Sequence, residues 1–143
     1  MRLWSKQLIS VLPRQQLVAQ WRECSAIAGN ILTKGTPNHI LVNKIMDYPI
    51  DHFISYSFWV RQEMTQRKYR TMDSVWNKIE KLSNGSWVEL SLENIYLYWM
   101  DITYLKICYW NLYEKYLCGG ISEENWIKID KVSSTYFCKD IKK

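Results

Sequence analysis

Arg22 and Glu23 place a guanidinium next to a carboxylate in the most basic part of the chain. The first 46 residues contain six cationic side chains, and Glu23 is their only carboxylate, so this segment carries about +5 of charge, equal to the net charge of the whole chain. A surface with this charge attracts phosphate groups, and guanidinium donors bind them bidentately. The pattern predicts a site for a nucleotide or nucleic acid. An ordinary solvated helix with one ion pair is the alternative.

Aromatic side chains supply the second type of chemistry. The chain has eight Trp and ten Tyr against three Phe, more indole and phenol than a small core needs. Flat rings of this kind can stack on nucleobases. Trp4, Trp21 and Tyr56 are the candidates for stacking, and burial in the core is the alternative for both tryptophans.

Metal and cofactor chemistry has no support in the sequence. The four cysteines are far apart, and His39 and His52 form no metal-binding pattern with them. The five glycines form no phosphate-binding loop, and the chain has no zinc-protease or nucleophile-elbow motif. We therefore expect no metal, no cofactor and reduced, buried thiols.

The pattern of apolar residues predicts an all-α protein that is a single compact helical domain. Pro13 suits the first turn of a helix, and a buried stripe follows it at helical spacing to about Ile31. Further helices are expected over 51–67, 73–82, 91–117 with a break near Asp101, and from Ser122 onward. The expected domain is 1–130, followed by a partly mobile tail over 131–143.

The hydropathy pattern shows neither a membrane-spanning segment nor a secretory signal, and the expected location of the protein rests on this. No apolar run approaches the ~20 residues that span a bilayer, and charged residues interrupt the N-terminal segment where a secretory signal would lie. We expect a cytoplasmic protein without a membrane partner, in a bacterium or in a host cell if it is phage-encoded. The oligomeric state is open, and a homodimer is one of the options.

The first 23 residues carry a resemblance to a known family. The matching positions need no gap from the initiator methionine and are Leu8, Ser10, Leu12, Gln15, Leu17, Ala19, Arg22 and Glu23. This segment resembles the pyrimidine-dimer DNA glycosylase/AP lyase family, the bacteriophage endonuclease V type of repair enzyme. Small bacterial and phage members are similar over about residues 1–80, where the shared stretches are Met1–Trp4, Leu12–Leu17, Thr36–Asn43, Tyr48-Pro49 and Trp76.

The resemblance implies an endonuclease V-like helical fold and a mechanism. In the repair enzyme, the α-amine exposed by methionine removal attacks the sugar C1′, a glutamate on the first helix assists, and arginines hold phosphates. Glu23 would be that glutamate, the catalytic residue if the chain is active. The expected ligand-binding residues are Arg2, Arg14, Arg22, Glu23 and His39.

The chain departs from the family pattern at the nucleophile. The repair enzyme has threonine after methionine, whereas this chain has Arg2, and methionine is removed efficiently only ahead of small residues. The amine of a retained Met1 lies one residue, about 3.5 Å of chain, too far out. Gln16 replaces a histidine of the enzyme, and Ser5, Trp21 and Ser57 stand where similar members tend to carry histidine.

These departures favour a binding protein with lost or weakened catalysis. Its ligand would be DNA or a nucleotide, and a phage protein that sequesters a signalling nucleotide to antagonise host defence is one form of this hypothesis. An active DNA glycosylase/AP lyase in base-excision repair is the main alternative. Two further alternatives are a hydrolase or nuclease that uses Glu23 as general base and a purely structural role.

Overall fold

The described part of the chain forms five α-helices, which short 3-10 helices and turns connect. The computed structural model describes residues 2–35, 40 and 43–141, and only the backbone of 140 and 141. The α-helices are α1 (Arg14–Lys34), α2 (Ile50–Gln66), α3 (Asp73–Glu80), α4 (Ile102–Leu117) and α5 (Glu123–Ile141). No strand occurs in the described part of the chain, so the predicted all-α fold class is confirmed.

Helix α1 begins and ends where its flanking residues dictate. Pro13 precedes its first residue, and Gly35 ends it with a positive φ of 83° while donating its N–H to the carbonyl of Ile31 at 3.0 Å. Glycine suits this left-handed position because it has no Cβ. One face of α1 is buried against α2 and α3 through Leu17, Gln20, Trp21, Cys24, Ile27 and Ala28.

The segment over 91–100 is not the helix that its aromatic periodicity predicts. Consecutive turns replace it, and α4 begins only after Asp101, whose carboxylate accepts from the N–H of Tyr104 at 2.9 Å. Tyr96 has a left-handed φ of 49°, and the ammonium of Lys6 donates to the carbonyls of Glu93 and Ile95. Those carbonyls would otherwise accept helical N–H groups, so the lysine satisfies the backbone without a helix.

Helix α5 continues through the region expected to be a tail. Ser122 caps it by accepting from the N–H of Asn125 at 3.2 Å, and Ile121 and Trp126 are buried at the positions of a hydrophobic staple. The expected boundary at residue 130 falls inside this helix. Phe137 packs edge-on against Tyr109 of α4 at 5.3 Å between centroids, so an apolar contact holds α5 on α4 beyond residue 130.

Arg67 at the end of α2 fastens the N-terminal 3-10 helix, Lys6–Val11, to the core. Its guanidinium donates to the carbonyls of Leu12 and Ser10 at 2.7 and 3.0 Å and to the carboxylate of Glu63 at 3.1 Å. Arg70, three residues later, is exposed. The basic cluster expected at this helix end therefore includes one cation with a structural role.

Replacing Arg67 by methionine should lower the free energy of unfolding by about 1–3 kcal/mol, because two carbonyls and a carboxylate lose a charged donor. Urea denaturation followed by circular dichroism measures this change. Arg70→Met removes the same charge from an exposed position and should stay close to the parent protein. Equal stability of the two variants would contradict the structural role of Arg67.

Candidate functional site

A cleft of about 690 Å³ lies between α1 and the C-terminal end of α4. Its α1 wall is formed by side chains at positions 15, 16, 19, 20 and 23, one continuous helical face because residues four apart neighbour each other. Arg2 and Trp4 from the N-terminal segment form the second wall. Asn111, Lys115 and Gly120 form the third.

Glu23 lies in this cleft and contacts the start of the chain. Its Oε2 accepts from the backbone nitrogen of Arg2 at 2.9 Å, although the two residues are 21 positions apart. The nitrogen of residue 2 therefore lies at hydrogen-bond distance from the one carboxylate among the described residues that line the cleft.

Gln20 positions the N-terminal segment against α1. Its Oε1 accepts from the N–H of Trp4 at 2.8 Å, and its Nε2 donates to the carbonyl of Arg2 at 3.0 Å. The Tyr56 hydroxyl donates its one proton to the carbonyl of Trp4 at 2.6 Å, and its oxygen lies 3.1 Å from Gln20 Oε1. Both side chains are almost completely buried, so these bonds form away from water.

Two cations border the cleft. The Arg2 guanidinium lies 5.5 Å from the centroid of the Trp4 ring, within the range of a cation–π contact, and Lys115 is exposed at the opposite wall. With Glu23 the formal charge of the lining residues is about +1. The Oε1 atom of Gln16, another lining residue, is buried without a hydrogen-bond partner among the described residues.

Arg22 does not share the cleft with Glu23. It lines a neighbouring groove of about 410 Å³ together with Arg14, Gln15 and Val18. The two concavities adjoin at Gln15, which lines both. The Arg14 guanidinium is held 5.0 Å from the ring centroid of Tyr69, in the basic segment after α2.

The remaining candidates lie elsewhere. Tyr56 is fully buried and Trp21 is 6% exposed, and neither lines the cleft; Trp4 is also largely buried, at 9% exposed, but it does line the cleft. Hydrophobic burial is the reason, because both rings fall on core-facing stripes of α1 and α2. His39 lies outside the described residues. We therefore keep Trp4 and leave Trp21 and Tyr56 out of the candidate site.

Sequence reasoning missed the third wall. Lys115 and Asn111 reach the cleft only because α4 packs across the start of the chain, and no motif around them signals this. Cys24, beneath the cleft wall, is fully buried, and burial raises its pKa to about 12, so it stays a neutral thiol at physiological pH. No cluster of three or more metal-ligating side chains occurs among the residues described.

The helices and the cleft define a class, an all-α protein with cationic side chains around a mostly polar cleft beside the start of the chain. Within that class, the sequence model for pyrimidine dimer DNA glycosylase matches residues 1–77, more than half of the chain. The chain belongs to this family. No curated protein and no solved structure matches the chain.

The matched region contains the α1 wall, Arg2 and Trp4 but not the α4 wall. No helix in the described part of the chain has the length and apolar character needed to cross a membrane.

Gln20→Met should destabilise the fold by about 2–3 kcal/mol, because the buried N–H of Trp4 and the carbonyl of Arg2 lose their partner. Urea denaturation measures the loss. Gln15→Met, an exposed change on the same helix, is the matched control and should be near neutral. A Gln20→Met protein as stable as this control would show that these two bonds do not fix the N-terminal segment.

Proposed function

We propose that this chain binds the phosphates and bases of DNA in the cleft and its adjoining groove, with base excision lost or strongly weakened. The contact between the nitrogen of residue 2 and Glu23 carries the proposal. In a chain that keeps Met1, this nitrogen is an amide whose lone pair is delocalised into the peptide bond, so it cannot attack C1′ of a sugar. The site keeps its acid and its cations without the nucleophile.

The arrangement of charge supports a polymeric ligand. Arg2 and Lys115 border the cleft, and Arg14 and Arg22 border the adjoining groove, so the cations follow one surface across α1. Successive phosphates of a strand would meet successive cations along this path. A single nucleotide, including a signalling nucleotide sequestered by a phage protein, would use the cleft alone. It is the alternative ligand, and the binding test below distinguishes it from DNA.

The displaced amine explains why chemistry would be weak. The α-amine of a retained Met1 lies one residue, about 3.5 Å of chain, beyond the nitrogen that faces Glu23. A misplacement of about 1 Å can cost roughly a hundredfold in rate. Trp21, at a position where similar members tend to carry histidine, is buried and offers no replacement base.

An active DNA glycosylase/AP lyase is the second candidate, and one distance favours it. If Met1 is removed, the nitrogen of residue 2 becomes a primary amine 2.9 Å from the Glu23 carboxylate. A nucleophile within hydrogen-bond reach of a base is the arrangement that covalent catalysis needs. The two candidates therefore differ in the chemical state of one nitrogen.

Arg2→Ser should produce a protein that forms a covalent, borohydride-trapped adduct with abasic DNA. A small second residue permits methionine removal and places an amine beside Glu23, so borohydride trapping on abasic DNA should rise about a hundredfold over the parent chain. Intact mass measures Met1 retention in both proteins, and fragmentation locates the adduct. Glu23→Gln in the Arg2→Ser background is the control and should reduce trapping again.

A parent chain that lacks Met1, or that traps abasic DNA through its N-terminus as fast as Arg2→Ser, would overturn the proposed loss of catalysis and establish the second candidate.

Binding should depend on salt through Arg14 and Arg22. Replacing both by glutamine should reduce the slope of log affinity against log salt by about 1.8 for a short DNA duplex, at about 0.9 for each lost phosphate contact. Fluorescence anisotropy over a salt series measures this slope. Lys131→Gln with Lys139→Gln removes the same charge from α5 and should leave it unchanged.

Comparing two ligands with the same anisotropy assay distinguishes the two occupants. If thymidine monophosphate binds and DNA does not, the ligand is a nucleotide held in the cleft alone. Equal effects of both double variants would indicate unspecific attraction to net charge and would count against the proposed path.

A further inference from the structure

A second cavity, of about 530 Å³, lies apart from the cleft and shares no lining residue with it. It is formed by the 3-10 helix Lys6–Val11, the turns before α4 and one side chain of α5. Much of its wall is apolar, from Leu92, Leu97, Met100 and Ile102. Lys6 is its one amine.

Lys6 is held in a fixed position in this wall. The residue is only 6% exposed, and its Nζ lies 2.8 Å from the carbonyl oxygen of Glu93 and 2.5 Å from that of Ile95. A neutral amine has two N–H bonds, which can serve both carbonyls and leave its lone pair free. Loss of the third proton therefore leaves one donor for each carbonyl, although the bonds from a neutral amine are weaker than those from an ammonium.

The environment favours that loss. Burial lowers the pKa of Lys6 from 10.5 to about 8, and the negative charge of Glu93 opposes this in part. At pH 7 an amine with this pKa is neutral in about one molecule in ten, whereas an ordinary lysine is neutral in about one in 3,000. A neutral amine in an apolar pocket is the form of lysine that attacks carbonyl carbon.

We propose that Lys6 is a carbonyl-reactive residue that forms a reversible imine with a small aldehyde whose apolar body occupies this cavity. The lone pair of Nζ forms a C–N bond to the carbonyl carbon while the C=O π electrons move to oxygen, which gains the amine proton. Loss of water from this carbinolamine, with uptake of one proton from solvent, gives the protonated imine, whose single N–H can keep one of the two bonds to the carbonyls, and water reverses both steps. No redox change occurs. The site is independent of the proposed DNA cleft.

Four other titratable groups surround this amine. Glu93, Asp101 and Tyr136 line the same cavity. His52 lies close enough for the charge of Lys6 to contribute to the lowering of its pKa, which burial dominates and Asp51 opposes. The lowered pKa favours neutral His52 at pH 7. The charges near Lys6 are then those of the carboxylates, which favour its ammonium form, and the reaction rate should rise with pH as Lys6 loses its proton.

Reductive labelling of the intact protein with salicylaldehyde and cyanoborohydride tests the proposal, with each adduct located by peptide mass spectrometry. Lys6 should be labelled at least about tenfold faster than exposed Lys128 at pH 7, and its rate should rise with pH to a plateau above about 8. The map also separates Lys6 from the α-amine of the N-terminus, so trapping by the DNA site is not confused with this one.

Two variants keep the test specific. Leu97→Glu places a charge in the cavity wall at a residue that is 53% exposed, and it should slow labelling of Lys6 several-fold. Leu117→Glu changes a 65% exposed leucine of α4 outside the cavity and should have no effect. Labelling of Lys6 no faster than Lys128 in the parent protein, or equal effects of the two variants, would overturn the proposal.

Discussion

The buried amide of Gln20 is the constraint on which the candidate site depends. It pairs with the N–H of Trp4 and the carbonyl of Arg2 at once, and the Trp4 N–H lies in a buried bond where water cannot replace the amide. Because unpaired buried polar groups cost about 1–3 kcal/mol each, the first residues of the chain are fixed across α1 rather than left to fray. Only this fixation brings the nitrogen of residue 2 to Glu23.

The side chains of helix α1 point to three different surroundings: the core, the cleft and the adjoining groove. Successive residues are rotated by about 100°, so neighbours in sequence face different surroundings. Core residues such as Leu17 point inward, Glu23 faces the cleft, and Arg22 faces the next groove. The sequence motif Arg-Glu is therefore not a single paired site. It supplies one residue to each of two adjoining concavities, so the Arg22 groove is lined by cations without a carboxylate among its described residues.

The amino-acid sequence predicts those features of the fold that depend on interactions within a few residues. Pro13, Asp101 and Ser122 mark helix starts because their effects extend over one turn. It does not predict the irregular segment over 91–100, because the ammonium that replaces helical hydrogen bonds there comes from Lys6, almost ninety residues earlier. Lys115 escaped prediction for the same reason, since its place in the cleft depends on how α4 docks. Aromatic composition could not separate a stacking ring from a core ring.

The hydrogen bond to Glu23 changes what that residue signifies in this family. A carboxylate that accepts from a backbone N–H stabilises the fold by charge-assisted bonding, so Glu23 has a structural use even when no nucleophile is present. The acid alone is therefore not a marker of catalysis. Under the proposed function the distinction lies in residue 2, where a bulky Arg2 would keep the nitrogen an amide, while a small side chain would free an amine at the same place. The size of one side chain would then decide between a binding cleft and an enzyme built on the same helices.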